Sequence, residues 1–292
     1  MNAALTYTRN NLRALLVILV ALVLVVVAMV VYLPPGVDWQ YSFRPAVFDL
    51  LAGRSPYHLE RGIQGSWGQY TFLNAPWALV PLIPLAILPV QLGRALLVII
   101  TILSFAYVAH RLGGKLLTIG LLLVSPPVMH GILTGNIDWL AVLGFILPPQ
   151  IGMFFIAVKP QVGIGVAIFW VVEAWRKGGW REVLHICWPI TIALVASILI
   201  FGPWPLRFGV QAGVWWNASL WPMSIPVGLG LLAAALHKRK ISYAMAASPC
   251  LSPYLMMHSW VVALLAVVDS LPVTAAAVVG FWILIVIRGF GG

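Results

Sequence analysis

Four ionisable residues lie in or beside apolar stretches where a charge is costly, so each is a candidate for function. Asp38 stands in "PPGVDWQY", Asp138 in "TGNIDWL", Lys159 in "FFIAVKPQVGIGVAIFW" and His258 in "SPYLMMHSW". Asp38 follows an apolar run by only a few positions. A carboxylate there stays ionised beside aromatic walls and can accept the proton of a substrate hydroxyl as general base. The structural alternatives are a helix N-cap or a loop ion pair with Arg44. Lys159 needs a counter-charge, either a phosphate arriving from the membrane or an internal carboxylate such as Asp138, unless it snorkels to the interface. Asp138 reads equally as a cap for the helix after it. His258 falls near the outer end of an apolar segment, where a merely hydrogen-bonded histidine is the plainer reading. The chain has no HExxH, GxGxxG, Walker or Cys–His pattern. Neither a metal nor a cofactor is expected, and a nucleotide site has nothing to build it from.

The elements that must hold these groups follow from composition. The 292 residues are 62% hydrophobic and 8% charged, whereas soluble domains carry about 25% charged residues. Too few polar side chains exist to cover a soluble surface. The expected fold class is all-α, a polytopic helical membrane protein with a single transmembrane domain over residues 1–292. The net charge of +10 sits mainly in "TRNNLR", "RKGGWR" and "HKRK", between apolar runs. That is the pattern of cytoplasmic loops rather than of a nucleic-acid surface. Cys187 and Cys250 lie in apolar segments and read as free thiols.

About eleven apolar segments are expected in a bundle: 14–33, 75–90, 94–110, 116–132, 137–148, 150–175, 183–202, 224–237, 241–257, 259–270 and 273–288. The first is long for a signal-peptide core and reads as a retained span. Segment 137–148 is the weakest and reads alternatively as re-entrant or part of a broken helix; it is kept as a crossing because the count of sides needs it. Arg9 and Arg13 precede the first span, which places the N-terminus in the cytoplasm at the cell membrane. Residues 176–181 and 238–240 then also face inward. "HRLGGK", residues 110–115, falls outside in this count, against its charge.

Two external loops remain, 34–74 and 203–223, both rich in aromatic residues and arginine. Within the first, "SFRPAVFDLLAG" has apolar residues near helical spacing, and Gly53 can end the helix. A short amphipathic helix on the membrane surface is expected.

This loop, "DWQYSFRPAVFDLLAGRSPY", resembles the acidic residue and "G-x-x-P-Y" ending of the GT-C superfamily, and most closely of glycosyltransferase family 87. "YTFLNAPWALVPL" is similar to that family's proline-bearing entry to the second span, with Pro76 retained and the doublet lost. "GNIDWL", "AVKPQ" and "SPCLSPYLMMHSW" resemble its later motifs in the same order. The resemblance covers roughly residues 38–260 and implies an inverting membrane glycosyltransferase, mannosyltransferase-like. Its donor would be a polyprenyl-phosphate sugar, its acceptor a lipid or glycan at the outer face, and membrane lipids its surroundings. Asp38 would be the catalytic base. Lys159, His258, Arg44 and Arg54 would bind the donor phosphate, and Trp39, Tyr41 and Trp67 would stack on sugar rings. The competing readings are a lipid or solute transporter and a non-catalytic membrane subunit on a decayed transferase fold.

Overall fold

The computed structural model of the chain describes residues 20–57, 72–207 and 217–290, with side chains up to residue 287. These residues are helical, with no strand among them. Helix α1 (Val20–Tyr32) is mostly exposed along its length, as an apolar helix facing lipid would be. A π-helical turn (Trp39–Phe43) leads into α2 (Arg44–Leu51). Gly53, at φ +68°, ends α2 as expected. Its N–H donates to the Leu50 carbonyl at 3.0 Å, and the Arg54 N–H to the Asp49 carbonyl at 2.8 Å. This pair of bonds is a Schellman cap, which glycine favours because it has no Cβ to clash at positive φ. α2 buries Ala46, Val47 and Asp49 and leaves Phe48 and Leu51 outward. It packs on a 3₁₀ helix (Pro76–Leu82) and on α3 (Ile83–Ala86).

The central elements are α4 (Val90–Arg111), α5 (Leu116–Leu123), α6 (Pro126–Thr134), α7 (Asp138–Leu143), α8 (Pro149–Ile156) and α9 (Pro160–Phe201). They are followed by α10 (Ile225–Lys238), α11 (Ile241–Cys250), α12 (Val261–Leu265) and α13 (Leu271–Phe290). Among the described residues, α4 and α9 are long and apolar enough to cross a membrane. The pair α5–α6, bent by 54° at its break, makes a third when counted as one span. By length and composition, two or three of the expected eleven spans are shown among the described residues. Counted over the described residues, Val20–Tyr32 of α1, α10, Leu271–Ile287 of α13 and the 76–86 stretch are apolar and shorter.

Two segments depart from their expected form for clear reasons. Segment 137–148 folds as six-residue α7 followed by a 3₁₀ turn (Gly144–Ile146), and residues 135–142 are all buried inside the protein. Nine helical residues rise only about 15 Å, half the ~30 Å of a hydrocarbon core. The segment is too short to cross as expected. Conversely, α9 is 42 residues long only because two helices join across Gly178 and Gly179, whose backbone is non-helical. That break falls in "RKGGWR", where the sequence indicates a loop.

Candidate functional site

The end of α6, the first turn of α7, the start of α9 and a 3₁₀ turn (Met257–Trp260) position the polar cluster. Gly135 ends α6 at φ +77°, and a Cβ there would stand 2.7 Å from the Trp39 Cβ. Only glycine meets both demands, and the turn it makes delivers Asn136 and Asp138 together. Pro160 opens α9 at a position that needs no N–H, and the residue before a proline is pushed away from helical angles. Lys159 accordingly sits at φ −137°, ψ 84°, just outside the helix. Its side chain turns inward and is 4% exposed.

Lys159 Nζ lies 2.5 Å from Asp138 Oδ1 and also donates to Asn136 Oδ1. Asp138 Oδ2 takes His258 Nδ1 at 2.5 Å and the Ser259 hydroxyl at 3.2 Å. Asn136 Nδ2 donates to Asp38 Oδ2 at 2.6 Å. The amide orientation is fixed by the Ile137 N–H, which donates to Asn136 Oδ1 at 2.7 Å. Asp38, Asn136, Lys159, Asp138 and His258 thus form one continuous chain of polar contacts. The His258 ring stacks on His130, centroids 5.5 Å apart. With Nδ1–H directed at Asp138, His258 Nε2 is left without a partner, as is His130 Nδ1.

Both structural alternatives for Asp38 fail. It stands at the N-cap of the π turn but makes no capping bond, and Arg44 is engaged elsewhere. Asp38 is half-buried, and among the described residues its Oδ1 accepts no hydrogen bond. Asp138 lies in the first turn of α7 and makes no side-chain cap either. It is the internal partner of Lys159.

The expected phosphate-binding set of four does not converge. Lys159 and His258 meet on Asp138. Arg44 instead donates Nε to the Ala86 carbonyl at 3.1 Å and Nη2 to the Leu88 carbonyl at 3.3 Å, and covers the Phe48 ring at 4.8 Å. Those carbonyls at the end of α3 lack helical partners, which is why a guanidinium settles there. Arg54 pairs with buried Asp49, Nη2 to Oδ1 2.9 Å. Trp39, expected to stack on sugar rings, presents no exposed face. It is fully buried in the core, with Nε1 3.4 Å from the Val90 carbonyl. Tyr41 is half-buried in the same π turn. Trp67 lies outside the described residues.

Arg94 is the functional candidate that the sequence reading missed. It is the first residue of the apolar segment 94–110 expected from the sequence. α4 in fact starts at Val90, which places Arg94 inside the helix and 1% exposed. Nη2 donates to the Ile132 and Leu133 carbonyls near the end of α6, the latter at 2.9 Å. Nε and Nη1 have no partner. The signal was available, since a charge within an apolar helix is the same cue that marked Lys159.

Tyr57, from "GRSPY", ties the two aromatic loops together. Its hydroxyl donates to the Asn74 carbonyl at 2.7 Å, and its ring stacks on Trp204 at 5.5 Å and 5°. Burial pushes its ionisation above the usual phenol range. Among the described residues no three of His, Cys, Asp and Glu are grouped to hold a metal ion.

Chemically, the site offers one carboxylate with a free oxygen, fixed by an amide, beside a closed Lys–Asp–His cluster. No family model, curated protein or solved structure matches the chain.

Proposed function

We propose that the chain is a multi-pass membrane protein that transfers a sugar from a polyprenyl-phosphate donor to a lipid or glycan acceptor, with Asp38 as base. The observation that carries this reading is the Asp38 carboxylate, with Oδ2 held by Asn136 and Oδ1 free of hydrogen bonds among the described residues. The acceptor hydroxyl gives its proton to Asp38 as its oxygen bonds to the anomeric carbon. The bond from that carbon to the phosphate oxygen breaks, its electron pair stays on the phosphate, and configuration inverts. Cationic donors stabilise the charge that builds on the leaving phosphate. Lys159 and His258 already face Asp138, so a phosphate oxygen competes with that carboxylate for them. Arg94 has two unspent nitrogens, close to Gly36 two positions before Asp38, and it joins Lys159 and His258 as the cation set of this reading.

The arrangement in the membrane follows from the shortened segments. If neither 75–90 nor 137–148 crosses, α4 runs inward, the α5–α6 pair outward and the first arm of α9 inward. Residues 110–115, 176–181 and 238–240 then all lie on the cytoplasmic side with the N-terminus. The discordant "HRLGGK" loop becomes concordant. Asp38, Asn136 and Lys159 fall together at the outer ends of their elements.

Transfer of radiolabelled sugar from a polyprenyl-phosphate donor, wild type against Asp38→Ala, tests the reading. Undiminished transfer by the variant would overturn it. The buried Lys159–Asp138–His258 cluster and the broken helices favour a second reading, a transporter with an ionisable relay. That reading expects solute uptake into proteoliposomes and no sugar transfer.

A further inference from the structure

Two basic stretches distant in sequence, residues 176–181 and 237–240, meet where α10 passes the break in α9. Arg176 Nη1 donates to the Leu236 carbonyl at 2.6 Å, and Arg239 Nε lies 3.9 Å from Glu173 Oε2. Between this junction and α8 lies a cavity of about 370 Å³, within the ~300–1,000 Å³ of small-molecule sites. Its inner wall is apolar, formed by buried Trp170, Ala174 and Ile186. Its rim carries Arg176, Lys177 and Arg239 against Glu173 and Glu182. Three cations and two carboxylates leave one positive charge unmatched.

Two further observations bear on what it could bind. Arg239, at φ +52°, is the non-glycine residue with positive φ among the described residues. It caps α10, a position where glycine is the usual choice. An arginine strained into that conformation sets its guanidinium at the cavity rim. Trp175 and Trp180, both exposed, flank the break in α9, and tryptophans gather at the hydrocarbon–headgroup boundary. The cavity therefore opens at headgroup level.

We infer that this cavity binds an anionic phospholipid, with its phosphate on Arg176, Lys177 and Arg239 and its glycerol backbone on Trp170 and Ile186. A phosphodiester carries the single negative charge that the rim lacks. Clustered Lys and Arg beside membrane helices attract such headgroups. The site is separate from the polar cluster. Lys159 and Lys177 bracket the first arm of α9, and the helical rise between them is roughly 27 Å. The inference stands whatever reaction occurs at the other end.

The test uses the full chain purified in detergent, with short-chain phosphatidylglycerol, phosphatidylcholine and inorganic phosphate as probes. Native mass spectrometry counts bound lipid, and melting temperature reports stabilisation. Phosphatidylglycerol should remain bound and raise the melting temperature, while phosphatidylcholine does neither. Arg239→Gly removes a cation and relieves the positive φ, so the fold should hold while affinity falls about fivefold. Adding Lys177→Gln should bring the loss to roughly twenty-fivefold. Lys115→Gln removes an exposed charge away from the cavity and should change nothing. Equal retention of both lipids, or undiminished phosphatidylglycerol affinity in the double variant, would overturn the site. Inorganic phosphate that displaces phosphatidylglycerol, with no preference between the lipids, would instead show a free-phosphate site and refute the lipid assignment.

Discussion

Asn136 reaches across 98 positions of sequence to donate to Asp38, Nδ2 to Oδ2 2.6 Å, while its own oxygen takes Lys159 and the Ile137 N–H. One amide therefore couples the carboxylate with a free oxygen to the closed Lys159–Asp138–His258 cluster. If Asp38 is the base, losing this bond unfixes it. Asn136→Ala should lower sugar transfer about tenfold to a hundredfold, the worth of a hydrogen bond to a charged group. Initial-rate assays with the labelled donor measure this, and Asp38→Asn should abolish turnover with donor binding retained.

Lys159→Ala leaves Asp138 buried without its strongest counter-charge. Breaking a buried pair from one side costs about 3–5 kcal/mol. The expected result is a markedly lower melting temperature, so loss of activity in this variant alone does not identify a phosphate ligand. Lys159→Met with Asp138→Leu should recover most of the stability. If that double variant still binds polyprenyl phosphate as tightly as wild type, Lys159 is structural and no ligand of the donor.

Gly135→Ala places a methyl group against Trp39 and forces alanine to φ +77°. Backbone strain of this kind costs on the order of 1–3 kcal/mol, before the steric contact is counted. A denaturation midpoint unchanged from wild type would refute this account of the turn.

Tyr57→Phe keeps the stack on Trp204 and removes the bond to the buried Asn74 carbonyl. A loss of about 1–3 kcal/mol is expected, read from thermal or denaturant unfolding. Tyr57→Ala should cost more, because the stack goes with it.

Single cysteines at Lys115 and Lys177, in a background without Cys187 and Cys250, test the proposed sidedness. Both should react with a membrane-impermeant thiol reagent only after the inner face is opened. Labelling of Lys115→Cys from outside would restore the eleven-segment count over the arrangement proposed above.

Sequence alone determined the class of molecule and much of where to look. An 8% charged chain cannot solvate a soluble surface, so charges left in apolar runs stand out, and three of them, Asp138, Lys159 and His258, do meet. Gly53 as the end of α2 was equally legible, because a cap is a local matter of backbone angles. Tertiary structure decided the rest. Whether Lys159 faces a phosphate, the interface or Asp138 depends on which helix end lies opposite it. Arg44 and Arg54 had nearer partners, a carbonyl pair and Asp49, that no spacing rule shows. Trp39, expected to stack on a sugar ring, is instead in the core, where Gly93 leaves room for its ring and Gly135 for its Cβ. Segment 137–148 was apolar enough to cross, yet it is sheltered by protein rather than by lipid. Hydropathy registers the loss of water around a segment, and a protein interior and a bilayer remove water alike, so only the packing of neighbouring helices could separate the two.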